Sequence, residues 1–218
     1  MNARELVDRI RSGPALLALD KPLRFRRRTR SNPCDFNEFL RALQSGETIQ
    51  MVKCETHLNL GITEDEWCLL VKTIGRIKGI DCLWLHCKPG SRDFHPFQAV
   101  AAALNNAHSL DALTVVEECG MFPGGSSGMI ALANALREHT SLREFGWIDC
   151  SRMEEGQITA VDPVLWALPA CRYLQQITIV TKYASADALK NLLQLRPAIE
   201  LRLVSKWTTG WQWLTRFD

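Results

Sequence analysis

At 218 residues, 46% hydrophobic and 23% charged, the chain has the composition of a globular protein, sized for one large domain, two small ones or a short repeat array. No apolar run approaches the roughly 18 residues of a membrane span, and a net charge of +2 argues against a dedicated nucleic-acid binder. The charge is uneven: residues 1–30 hold nine Lys/Arg and three Asp/Glu, and the remainder is net −4.

The first stretch, "MNARELVDRIRSGPALLALD", has no apolar core leading to a small-residue cleavage site, so it does not read as a signal peptide. Residues 1–14 predict an amphipathic capping helix, with Asn2 as cap, Leu6, Val7 and Ile10 on one side and Gly13-Pro14 as stop. Without an export signal or any C-x-x-C, the eight cysteines read as reduced, mostly buried small hydrophobes in a cytoplasmic protein. Neither they nor the five histidines show metal-ligand spacing, so no metal and no cofactor is expected.

From residue 15 to 205 one pattern recurs. Strand-like stretches follow in order: Leu23 and Phe25; Ile49, Val52 and Cys54; Ile80, Leu83 and Leu85; Leu110, Leu113 and Val115; Leu142, Phe145 and Trp147; Leu174, Ile177 and Ile179; Leu201 and Leu203. The fourth position of each unit (Leu23, Val52, Leu83, Leu113, Phe145, Ile177, Leu201) advances by 29, 31, 30, 32, 32 and 24 residues. Between the strands lie helix-like segments with apolar pairs four apart, which share one helix face. The pairs are Phe39/Leu43, Leu70/Ile74, Val100/Leu104, Leu132/Leu136, Val164/Leu168 and Leu189/Leu193. A small residue precedes the second member in the first five: Ala42, Thr73, Ala103, Ala135 and Ala167. One such unit cannot bury both its strand face and its helix stripe, whereas a stack of six to seven can. Residues 206–218 place Trp207, Trp211, Trp213, Leu214 and Phe217 together and predict a C-terminal cap; an exposed docking patch is the other reading of that segment.

The unit L-x-x-L-x-L, loop, helix with A-L resembles ribonuclease-inhibitor-like leucine-rich repeats, most closely in "SGMIALANALREHTSLREF". The "ALNNAHSL" and "ALREHTSL" joints are similar to those of degenerate leucine-rich-repeat-like proteins of diatoms. The resemblance implies an α/β fold, a short right-handed solenoid or horseshoe with parallel strands on its concave face and helices on its convex face. It also implies Asn or Cys at the ninth position of each unit. Here that position holds His57, Lys88, Glu118, Cys150 and Lys182, so only Cys150 keeps it, as a buried frame residue.

Strands on a concave face would turn positions three, five and seven away from the core. The cluster that stands out there is Lys53, Trp84 and His86, with Arg24 and Arg26 next along the stack, an aromatic beside basic groups that suits an interface anchor. The reading is therefore a non-catalytic module that binds a protein partner of unknown identity through this face. Two alternatives stand beside it. The basic run "RFRRRTR" at 24–30 could serve an acidic surface, a nucleic acid or nuclear import, or be the solvated edge of the first strand. "GGSSG" places Ser126 in a G-x-S-x-G pattern, a serine-hydrolase signature, although the one acidic residue between it and His139, the one histidine that follows, is the directly adjoining Glu138. His108 and His139 fall in return turns, which points to structural roles.

Overall fold

The computed structural model describes residues 18–19, 36–45, 51–55, 63–77, 79–87, 96–117, 125–149, 161–181, 184–195, 200–207 and 210–215. Eight strands form one sheet in chain order: β1 (Ala18–Leu19), β2 (Met51–Glu55), β3 (Cys82–Cys87), β4 (Ala112–Glu117), β5 (Glu144–Asp149), β6 (Gln176–Val180), β7 (Glu200–Trp207) and β8 (Gly210–Thr215). Each pairing from β1 to β7 is parallel, and β8 turns back antiparallel along β7. Parallel neighbours need a crossover, and helices supply it. They are α1 (Phe36–Ser45), α2 (Glu64–Ile74), α3 (Pro96–Asn106), α4 (Gly125–Glu138), α5 (Asp162–Ala167) and α6 (Ala186–Leu195). Successive helices pack side by side in the same order as the strands. The protein is thus of the α/β class.

The column of fourth positions is a register line. Val52, Leu83, Leu113, Phe145, Ile177 and Leu201 are mutual Cα partners across five strand pairs. At the first strand the partner of Val52 is Leu19, four residues before the expected Leu23. The stretch carrying Leu23, Phe25, Arg24 and Arg26 lies outside the described residues, as do residues 1–14, Cys150 and the other ninth positions.

From β3 to β6, alternation puts one side of each strand in a single core with the helices. Positions one, four and six are all buried from β3 to β6: Ile80, Leu83, Leu85; Leu110, Leu113, Val115; Leu142, Phe145, Trp147; Leu174, Ile177, Ile179. Five helix pairs meet them as expected. The sixth does not. In α6 the buried residues are Ala188 and Leu192, while Leu189 and Leu193 are half-buried at the edge of the core. The inward stripe has moved back by one residue. Its segment is also the one whose pair lacks a preceding small residue, because that position is Leu192 itself, which takes the inward place.

Helix ends follow local chemistry. Thr63 caps α2: its Oγ1 accepts from the Glu66 N–H at 3.1 Å and its own N–H donates to Glu66 Oε2 at 2.8 Å, a reciprocal box. Glu64, Asp65 and Glu66 in the first turn and Lys72 in the last complement the helix dipole. The helix ends at Gly75, and Gly79 at φ 80° takes the left-handed conformation that glycine allows without strain. Pro163 and Pro169 bracket α5, which lasts six residues and tightens into a 3-10 turn at Leu168–Ala170. The next helix start is tied to it, since the Ser185 N–H donates to Asp162 Oδ1 at 3.0 Å.

Candidate functional site

The strand face away from the helices is the candidate surface. Register brings Lys53, Trp84, Thr114, Gly146, Thr178 and Arg202 into one row across six strands. A second row holds Met51, Cys82, Ala112, Glu144, Gln176 and Glu200, and a third runs from Glu55 through His86, Val116, Ile148 and Val180 to Val204. Lys53 and Trp84 are direct register partners, and His86 lies two residues further along β3. Side-chain surroundings are described for Trp84 but not for Lys53 or His86, and Arg24 and Arg26 lie outside the described residues.

Trp84 is half-buried, as are Cys82, Ala112, Thr114, Gln176 and Thr178, and Glu144 is exposed. The contrast with the core face is sharp: no residue at positions one, four or six from β3 to β6 is more than 2% exposed. Val116 and Val180 are buried and Ile148 is half-buried, so the third row closes toward the strand ends. Gly146 makes the floor flat at the centre. A Cβ there would stand 2.9 Å from Thr114 Oγ1 and 3.1 Å from its Cγ2, so the Thr114 side chain leans over the glycine. Glycine inside a strand marks such close approach, and that was the available sign in the sequence for this feature.

Electrostatics on this face are set at the strand starts. Burial pushes the Cys82 thiol up, and the carboxylates of Glu144, Asp81 and Asp111 push it further. A thiol so placed stays protonated at neutral pH and is a poor nucleophile. Cys68 on α2 is likewise raised, chiefly by burial, while Lys72 opposes. Cys87 and Cys171 are buried thiols, and Cys68 and Cys82 are half-buried ones.

Ser126 of the G-x-S-x-G pattern lies in the first turn of α4, not at a sharp turn directly after a strand; residues 118–124 separate β4 from the helix. His139 follows the other end of that helix, roughly 20 Å away at 1.5 Å per residue. Its ring is engaged there: Nε2 is 3.0 Å from the Ala107 carbonyl oxygen and Nδ1 is 3.1 Å from the Leu142 nitrogen. His108, in contrast, is exposed, and its carbonyl accepts from the Ser141 hydroxyl at 2.8 Å. Among the described residues no three His, Cys, Asp or Glu side chains gather as metal ligands, and no helix is long and apolar enough to cross a membrane.

No protein-family model matches the chain, and it finds no match among curated proteins.

Proposed function

We propose that the chain is a non-catalytic interaction module, a short leucine-rich-repeat solenoid that binds a protein partner through the open face of its sheet. The observation that carries this reading is the asymmetry of the sheet. One face is sealed in the core, while the other offers half-exposed side chains across adjacent strands, with Trp84 in direct register with Lys53. Repeat surfaces of this kind are broad and suit macromolecules, and a tryptophan beside a cation is a common interface anchor. The unit lengths near 31 residues and the in-register fourth positions support the solenoid. The buried and half-buried thiols of Cys68, Cys82, Cys87 and Cys171 fit a reducing, cytoplasmic setting.

The test is quantitative affinity capture with three forms of the full chain: wild type, Trp84→Ala with Lys53→Ala, and Trp166→Ala on the exposed side of α5. Each is first checked for unchanged circular dichroism. The open-face pair should lose its partners at least tenfold, about 1.4 kcal/mol, while Trp166→Ala keeps them. Partners retained by the open-face pair and lost by Trp166→Ala would move the docking surface to the helices and end this proposal.

A further inference from the structure

We propose that His139 makes the return turn at residues 139–143 an acid-sensitive latch: the neutral imidazole holds this turn to the preceding one, and protonation releases it.

Three return turns reach the same point in their units at Leu110, Leu142 and Leu174. In the first, the Leu110 N–H donates to the Ala107 carbonyl at 3.0 Å; in the third, the Leu174 N–H donates to the Cys171 carbonyl at 3.3 Å. In the middle turn the Leu142 N–H points instead at His139 Nδ1, at 3.1 Å, with the Ser141 N–H at 3.4 Å from the same atom. A side chain has taken the place of a backbone acceptor.

That exchange dictates the tautomer. Nδ1 faces N–H donors and must be the unprotonated acceptor, while Nε2 faces the Ala107 carbonyl oxygen at 3.0 Å and must carry the hydrogen. The neutral ring satisfies both turns at once. The imidazolium cannot, because its Nδ1–H would meet the Leu142 N–H head on and leave that amide without its acceptor. The Ser141 hydroxyl spans the same joint, 2.8 Å from the His108 carbonyl and 2.9 Å from that of Leu110, so release of the ring loosens a contact that already crosses between units.

The environment favours the neutral form. Burial pulls the ring below the usual 6.5, the bond to the Ala107 carbonyl pulls it back up, and the neighbouring His108 lowers it again. The other charges on the surrounding elements are Arg137 and Glu138 at the end of α4, the Asp111–Arg143 pair at the strand starts and Arg172 in the next turn. A folded value below the unfolded one means that the unfolded chain binds the proton more readily. The contribution is therefore complete above 6.5, falls as pH drops from 6.5 to the lower folded value, and is lost beneath it.

Nitrogen-15 NMR of the full chain tests this directly. At pH 7.5 the His139 ring should be the Nε2–H tautomer and should titrate with a midpoint below 6.5. Protection of the Leu142 amide, corrected for intrinsic exchange, should fall by up to roughly tenfold per pH unit through that window. In His139→Gln the side-chain oxygen can accept the same N–H without titrating, so the protection should stay level. In His108→Ala the pH dependence should persist. The proposal is overturned by an Nδ1–H tautomer, by a midpoint at or above 6.5, or by a pH dependence that survives His139→Gln or vanishes in His108→Ala. The wild-type tautomer and midpoint decide the matter even where a variant does not fold.

Discussion

The return turns at residues 107–111 and 139–143 occupy the same place in consecutive units and share half of their chemistry. Both carry a serine that reaches back to the preceding unit: Ser109 Oγ to the Ile80 carbonyl at 3.1 Å, and Ser141 Oγ to the Leu110 carbonyl at 2.9 Å. Both send two backbone N–H groups to one carbonyl of the strand start before them. Asp111 and Ala112 donate to Asp81, and Arg143 and Glu144 donate to Asp111. They differ at the residue that opens the turn. Ala107 is buried and offers its carbonyl to Leu110, whereas His139 offers an imidazole nitrogen to Leu142. What is constant is the need for an acceptor at that N–H, not the residue that supplies it. At the next unit Cys171 opens the turn, and its Sγ reaches the Leu136 carbonyl at 3.2 Å.

The largest expected effect comes from the turn before both, residues 75–80, where the joint is backbone against backbone. A Cβ at Gly75 would stand 2.4 Å from the Ala103 carbonyl oxygen and 2.5 Å from its Cα, on the neighbouring helix α3. No flexible side chain can yield there. Gly75→Ala should destabilise the protein by about 3 kcal/mol, at the upper end of overpacking costs, as read by denaturant unfolding. A cost under about 1 kcal/mol would mean that α2 and α3 shift apart freely, and the contrast between rigid and adaptable joints would collapse.

The two serines give the next effect. Ser141 Oγ lies within bonding distance of two carbonyls, those of His108 and Leu110, whereas Ser109 Oγ reaches one. Ser141→Ala should cost about 1–1.5 kcal/mol and Ser109→Ala about 0.5–1 kcal/mol, within the usual range for a hydrogen bond. Equal costs in denaturant titrations would show that the second carbonyl adds nothing.

These joints also explain what could be read in the sequence and what could not. The fourth-position column was legible because burial on one strand face must recur in every unit, and Leu83, Leu113, Phe145 and Ile177 keep it despite changing residue type. At the first unit the alternating Leu23 and Phe25 suggested a partner for Val52, but its register partner is Leu19. In α6, Leu189, Leu192 and Leu193 are all apolar, so spacing alone could not say which of them faces inward. A structural role for His139 followed from its place in a turn, but its tautomer did not, because that depends on Ala107, 32 residues away. On the open face, the rows were legible as register. The lean of Thr114 over Gly146 was signalled only by a glycine inside a strand, because the pattern of apolar residues carries no information about side-chain direction on the face it leaves out.

The smallest effect concerns a charged contact between the two turns. Arg143 Nε lies 3.3 Å from Asp111 Oδ1, but the two side chains are 61% and 48% exposed. Solvent screens such a pair, and exposed pairs contribute roughly 0–1 kcal/mol. The same Asp111 accepts two backbone bonds at its carbonyl, from Arg143 at 2.8 Å and Glu144 at 3.0 Å, and Asp111→Asn leaves both in place. The substitution should therefore change stability by less than about 0.5 kcal/mol, and raising salt should change the wild type no more than the variant. A larger loss, restored by low salt in the wild type alone, would assign the joint to charge. The expected near-zero result assigns it to the carbonyl ladder, which any residue but one with a distorted backbone can supply. That is why a chain so variable in side chains at its turns can hold every strand from β3 to β6 in register.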